Sequence, residues 1–211
     1  MIRSNTWGSV GIGTLIVFIA FVLVAGFAAF VIIQTGSILE IQSTQTGSET
    51  ISDVSTGIEI SRIQGHYSSS LIDKLVITIT PRYGSPNINM MNTMVEISNT
   101  SVKCIMNYSS TYWVDGTSGL SDLFSAQAFS PIPAHYGLII LKDADSSCLA
   151  STPMINRGDS VMLALNMSSA FNGLDKNLNM FGHVIPENGM WGIIEFRTPS
   201  ATADVVVTLQ D

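Results

Sequence analysis

The hydrophobic rhythm of the chain changes twice. Residues 15–33 read LIVFIAFVLVAGFAAFVII without one polar side chain, and no charged residue occurs from Ser4 to Leu39. A helix of that run rises about 28 Å, the thickness of a bilayer's hydrocarbon. A helix apolar on every face has no place on the surface of a soluble domain. It belongs in lipid, or in the core of an assembly that replaces lipid. From residue 34 to 60 the apolar positions thin to Ile38, Leu39, Ile41, Ile51, Val54 and Ile58. Steps of three and four predict that the helix continues with one apolar stripe. Gly36, Gly47, Gly57 and the many hydroxyl residues here are poor helix formers, so this half needs neighbours to hold it.

From about Arg62 the period becomes two. Strands are predicted at residues 74–80, 94–97, 102–106, 137–141, 160–165, 192–196 and 204–209. Turn signals separate them: Tyr83-Gly-Ser-Pro86, Asp115-Gly116, Pro131-Ile-Pro133, Arg157-Gly-Asp159 and Glu187-Asn-Gly189. Several short strands with no helical pattern between them predict an antiparallel sandwich or barrel. The expected organisation is α+β: a leader at residues 1–8, a helix at 9–61 and a β domain at 62–211.

Composition narrows the class. Sixteen acidic against nine basic residues give a net charge of −7, and no Lys/Arg cluster exists. Nucleic acid is therefore excluded as a partner, because phosphate binding needs concentrated positive charge. Charged residues make up only 12% of the chain, which suits an exported, β-rich protein. In that setting Cys104 and Cys148 have two readings. One is a disulfide closing a loop of about 45 residues, worth about 3–4 kcal/mol; the other is two buried free thiols.

No G-x-S-x-G, H-E-x-x-H, Walker or C-x-x-C pattern occurs, and His66, His135 and His183 stand apart from acidic partners in sequence. Gly11-Ile-Gly13 precedes an apolar helix instead of following a strand, so it fails as a dinucleotide fingerprint. No enzyme, no catalytic residue and no organic cofactor is expected. Asp143 and Asp145, with Asp115 or Asp122 nearby, offer oxygens to a structural Ca²⁺; without EF-hand spacing, solvated loop carboxylates are the simpler reading. Sequons at Asn99, Asn107 and Asn166 are candidate N-glycosylation sites, Asn107 foremost because Tyr-Ser-Ser reads as a turn.

A general secretory signal has its cleavage site after the apolar core. Here the small-residue junction Trp7-Gly8-Ser9 comes before it. Cutting after Gly8 would leave the apolar helix at the new N-terminus, which is the layout of pilin-like secretion; an uncut signal anchor is the rival. Gly11-Ile-Gly-Thr-Leu-Ile-Val-Phe-Ile-Ala20, followed by Val22-Leu-Val-Ala25, resembles the N-terminal signature of archaellins, the subunits of the archaeal swimming filament. Gly182-His-Val-Ile-Pro-Glu-Asn-Gly189 and Gly192-Ile-Ile-Glu-Phe-Arg-Thr-Pro-Ser200 resemble the closing hairpin of the archaellin outer domain. Leu141-Lys-Asp-Ala-Asp145 and Asn156-Arg-Gly-Asp-Ser-Val161 resemble its middle strands more weakly.

The resemblance implies processing between Gly8 and Ser9 by a prepilin-type peptidase. It implies a helix from Ser9 to about Ile60 that waits in the membrane and then packs in the filament core, and an immunoglobulin-like β-sandwich outside. The implied partners are copies of the chain or related archaellins, together with the archaellum motor and its membrane platform. Two features qualify it: the leader has one basic residue, Arg3, and Gly13 stands where bacterial type IV pilins carry a glutamate. The second of these favours archaellins over bacterial pilins. An adhesive archaeal pilin and a membrane-anchored surface protein that never polymerises are the competing readings.

Overall fold

The computed structural model describes residues 6–68, 70–200 and 204–211. The chain divides into two compact units, Met1–Thr50 and Ile51–Asp211. Among its described residues the first is helix alone. Helix α1, Thr6–Ser55, runs 50 residues, about 75 Å at the standard rise. Two hydroxyls of its polar half bond back one turn: Thr35 Oγ1 to Val31 O at 2.7 Å and Thr50 Oγ1 to Thr46 O at 2.8 Å.

The helix stops earlier than the apolar spacing predicts. Thr56 N still bonds Ser52 O, but Ile58 N turns to Met190 O and Arg82 N takes Gly57 O. A Cβ on Gly57 would lie 2.7 Å from Met190 O, so only glycine lets the two backbones approach this closely. Strand β1, Ile58–Ser68, begins at once. Its register with the next strand shifts between Ile60 and Arg62. Ile58 follows Ile51 and Val54 by steps of three and four, which is why the segment reads as helical.

The remaining strands are β2 (Leu71–Pro81), β3 (Ile88–Asn89), β4 (Met94–Ser98), β5 (Lys103–Asp115), β6 (His135–Lys142), β7 (Met154–Ile155), β8 (Ser160–Asn166), β9 (Asn179–Ile185), β10 (Gly192–Arg197) and β11 (Val206–Gln210). Nine form one sheet in the order β10-β9-β4-β5-β6-β8-β2-β1-β11, and β3 pairs with β7. The sheet is antiparallel, as expected, except for β5 beside β6. It rolls until its ends meet: Gln210 on β11 accepts from Glu195 N at 3.0 Å and donates to Ile193 O at 3.1 Å, both on β10. Rolling closes Leu75, Ile77, Ile97, Leu138, Leu163 and Ile194 into one core, each 0–1% exposed.

Every strand predicted by alternation falls on an observed one. The parallel pair was not predicted. Parallel neighbours need a crossover, and residues 116–134 supply it, packing over the outer side of the sheet on Ala128, Ile139 and Ala164. Hence Leu138-Ile-Ile140 and Leu163-Ala-Leu165 are buried on both faces and do not alternate. A short helix, α2 (Met167–Phe171), follows β8; Asn166 caps it by accepting from Ser169 N at 3.2 Å.

Candidate functional site

Two features of the chain offer groups to something outside its own fold. The first is α1. Phe21, Phe27, Ile32 and Ile33 are 69–71% exposed, and the helix is long and apolar enough to cross a membrane. Its glycines are equally unused: a Cβ at Gly11, Gly13, Gly26, Gly36 or Gly47 would meet nothing within 4 Å. Each costs about 1 kcal/mol of helix propensity. Glycines that the isolated helix does not require let another helix come close. Gly8 and Ser9 fall in the first turns of α1, where side chains lie outside the described residues.

The second is an acidic loop cluster. Pairing of Lys142 with Ser160 sets the chain leaving β6 beside the chain entering β8. Ligand oxygens of Asp143, Asp145 and Asp159 thereby come within 4.8 Å of one another. Backbone amides shape the site. Asp143 accepts from Ser147 N and Cys148 N, and buried Asp159 accepts from Ala144 N at 2.9 Å and Asn156 N at 2.8 Å. Hydrogen bonds from Ser147 and then Asn156 hold the Asp145 carboxyl below the usual carboxylate range. None of the three is in an ion pair among the described residues.

Asp115 and Asp122 lie outside this cluster and are turned to local work. Asp115 accepts from Thr117, and Asp122 from Phe124 N and the Ser125 hydroxyl. The third carboxylate is Asp159, which the sequence presented only as part of the Arg157-Gly-Asp159 turn. Asp159 is 3% exposed.

The archaeal-type flagellin model matches residues 8–196, most of the chain and both units. The chain belongs to the archaeal-type flagellin family. It is 38% identical over 206 residues to flagellin B2 of Methanocaldococcus jannaschii, covering 96% of this chain and 95% of that one. The crystal structure of a flagellin from the same organism superposes with a TM-score of 0.65 at 31% identity, over 74% of this chain and 97% of that chain. The archaeal flagellum of Methanospirillum hungatei shares the fold, with a TM-score of 0.62 over 95% of this chain and 99% of that chain at 13% identity. As an archaeal-type flagellin the chain is a structural filament protein and not an enzyme.

In this flagellin the two cysteines are free thiols, which corrects the disulfide reading of Cys104 and Cys148. Cys104 sits on β5 with its thiol toward Pro133 O at 3.3 Å. The Tyr108 phenol is pushed up to about 12 by burial, then by the nearby Cys148. Burial, then the charges of Asp143 and Asp159, push the Cys148 thiol up to about 12. Because the folded value is raised, the associated stability is complete below pH 9 and is lost as pH climbs from 9 to about 12. At pH 8 the folded chain should show no intramolecular disulfide by non-reducing mass mapping, and iodoacetamide should reach Cys148 only after unfolding. Rapid native labelling of Cys148 would contradict that environment.

One sequon is placed differently from expectation. Asn107 lies within β5, exposed but not in a turn. Asn99 occupies the β4–β5 turn, accepting from Ser101 N at 2.8 Å and Val102 N at 2.6 Å. Asn166 ends β8 as the cap of α2.

Proposed function

We propose that this flagellin is made as a membrane-inserted precursor, cut between Gly8 and Ser9 by a prepilin-type peptidase, and polymerised through α1 into the archaellum filament used for swimming. The observation that carries the reading is the joining of a folded β domain to a helix whose apolar side chains and glycines find no partner in their own chain. Lipid and a bundle of like helices are both apolar, so the hydrophobic term nearly cancels between them. Close packing then sets the balance, and extraction from the membrane falls to a motor and membrane platform that this chain does not contain. Head-to-tail contacts that do not close generate the filament. Family membership favours this reading over an adhesive pilin or an unpolymerised anchor.

Filaments sheared from cells should consist of chains whose N-terminal sequence begins at Ser9, and deletion should abolish both filaments and swimming. A detergent-soluble monomer still beginning at Met1 would refute the reading.

Ca²⁺ is the cation that fits the acidic cluster. The donors are all oxygen, Asp143, Asp145 and Asp159 bring excess negative charge together, and a 4.8 Å spread spans opposite ligands around an ion bound at about 2.3–2.6 Å. Bound there, the ion would tie the loop after β6 to the turn before β8. Calcium at a hundred times its dissociation constant stabilises a folded chain by about 2.7 kcal/mol, here about 5–10 °C in thermal midpoint. EDTA should lower the midpoint, and Asp159→Asn should remove the calcium response. Equal midpoints with calcium and EDTA would exclude the site. The sequons are candidate attachment points for a surface glycan, with Asn99 the one in a turn; glycopeptide mapping of filaments tests each of Asn99, Asn107 and Asn166.

A further inference from the structure

Two oppositely charged recesses lie on the β domain where α1 ends, and neither finds a charged partner among the described residues. One, about 450 Å³, is lined by Asp53, Thr56, Asn87, Asn89 and Glu187. It holds two carboxylates and no cation. Thr56, 4% exposed, has a buried hydroxyl with no partner among the described residues. The other, about 520 Å³, is lined by Arg82, Lys142 and Arg157, with Ser61, Thr80 and Tyr83 supplying hydroxyls. Three of the chain's nine basic residues meet there. Against three cations stand two carboxylates, Asp159, oriented by backbone amides, and Glu59 on an exposed position of β1, so the recess keeps an excess of positive charge.

None of Asp53, Glu187, Arg82, Lys142 and Arg157 belongs to an ion pair among the described residues. Glu187 accepts from Asn92 Nδ2 at 2.8 Å, and Arg82 Nη1 reaches only Met190 Sδ. The Arg82–Tyr83 end of the basic recess and the Pro86–Asn89 wall of the acidic one are parts of one short segment, so the recesses flank it.

We propose that these recesses are the two halves of a subunit contact: the acidic pocket of one copy receives the Arg82–Lys142 rim of the next. A cation placed against Asp53 and Glu187 would complete both charge sets, with the Thr56 hydroxyl and the Asn87 and Asn89 amides as further polar partners. Because the halves are different patches of the same domain, the contact is heterologous. It propagates from copy to copy instead of closing a dimer. The inference rests on the filament reading above and adds to the helix core a charged collar between neighbouring β domains.

The test is a charge-reversal cycle in the full chain, with wild-type filaments prepared in parallel. Arg82→Glu with Lys142→Glu should cut filament yield by at least about tenfold, as should Asp53→Lys with Glu187→Lys, because like charges are then opposed. Combining all four should restore filaments. The thermal midpoint of each membrane-extracted monomer checks folding, and Lys142→Glu alone, on an exposed residue, serves if a double variant does not fold. Filaments from either reversal at wild-type yield, or no recovery in the four-residue swap, overturn the contact. So does a soluble cation or sugar that saturates the Asp53 pocket in assembled filaments. Absence of wild-type filaments overturns the filament reading itself, and this contact with it.

Discussion

Val24→Asp should yield a chain that makes no filaments yet keeps a fully stable β domain. Val24 lies at the middle of the apolar run at residues 15–33 and is 67% exposed in the isolated chain, so nothing in its own fold is disturbed. In a bilayer an aspartate at a helix centre costs about 2.5–3.5 kcal/mol on insertion scales, a factor of roughly a hundred in partition. In a core of packed helices the charge finds neither water nor lysine, and every subunit adds another. Membrane-fraction and supernatant assays with electron microscopy should show loss of insertion, of filaments, or of both. The thermal midpoint of the β domain should match wild type, since Val24 lies in the separate unit Met1–Thr50. Val24→Ile is the control that keeps the filament. Normal filaments from Val24→Asp would mean that this run is not the assembly core.

Gly137→Ala should have the largest effect on stability. Gly137 lies on β6, between the parallel neighbour β5 and the antiparallel neighbour β8, opposite Ala164. A methyl group there would overlap the carbonyl oxygens of Ala128 and Tyr112. Neither is the far end of a flexible side chain. Ala128 belongs to the crossover packed over the sheet, and Tyr112 to the stretch of β5 where the register with β6 shifts between Tyr108 and Trp113. Relief requires lifting the crossover or parting β5 from β6. Overpacking against fixed backbone costs about 3 kcal/mol or more, about 10 °C for a domain of this size. Thermal unfolding followed by circular dichroism reads it. Gly36→Ala is the matched comparison: its methyl meets open space, so the β-domain midpoint should not fall. A Gly137→Ala midpoint within a degree or two of wild type would show that the crossover is looser than it looks.

Much of the molecule was legible in the order of residues, because some of its features are local. An apolar run of nineteen residues admits only lipid or an assembly core, whatever follows it. Alternation at residues 74–80 or 192–196 records one buried face, and a strand keeps that pattern wherever the sheet places it. Gly11-Ile-Gly-Thr carried the resemblance to the family, although a Cβ at either glycine would meet nothing within 4 Å in the chain.

The tertiary structure decided what depends on long-range pairing. Ile58 fits a helical stripe by spacing and a strand by partner, and the pairing of β1 with β2 and the Met190 backbone settles it as a strand. Cys104 on β5 and Cys148 in the loop after β6 are free thiols, which no spacing reports. Asp159 joins Asp143 and Asp145 only because β6 and β8 are neighbours. The sequence by itself determined the helix, its apolar character and the presence of a β domain, since each follows from local hydrophobic period. The helix end, the parallel crossover, the free thiols and the acidic cluster came from the fold alone, because each is set by which distant backbones lie side by side.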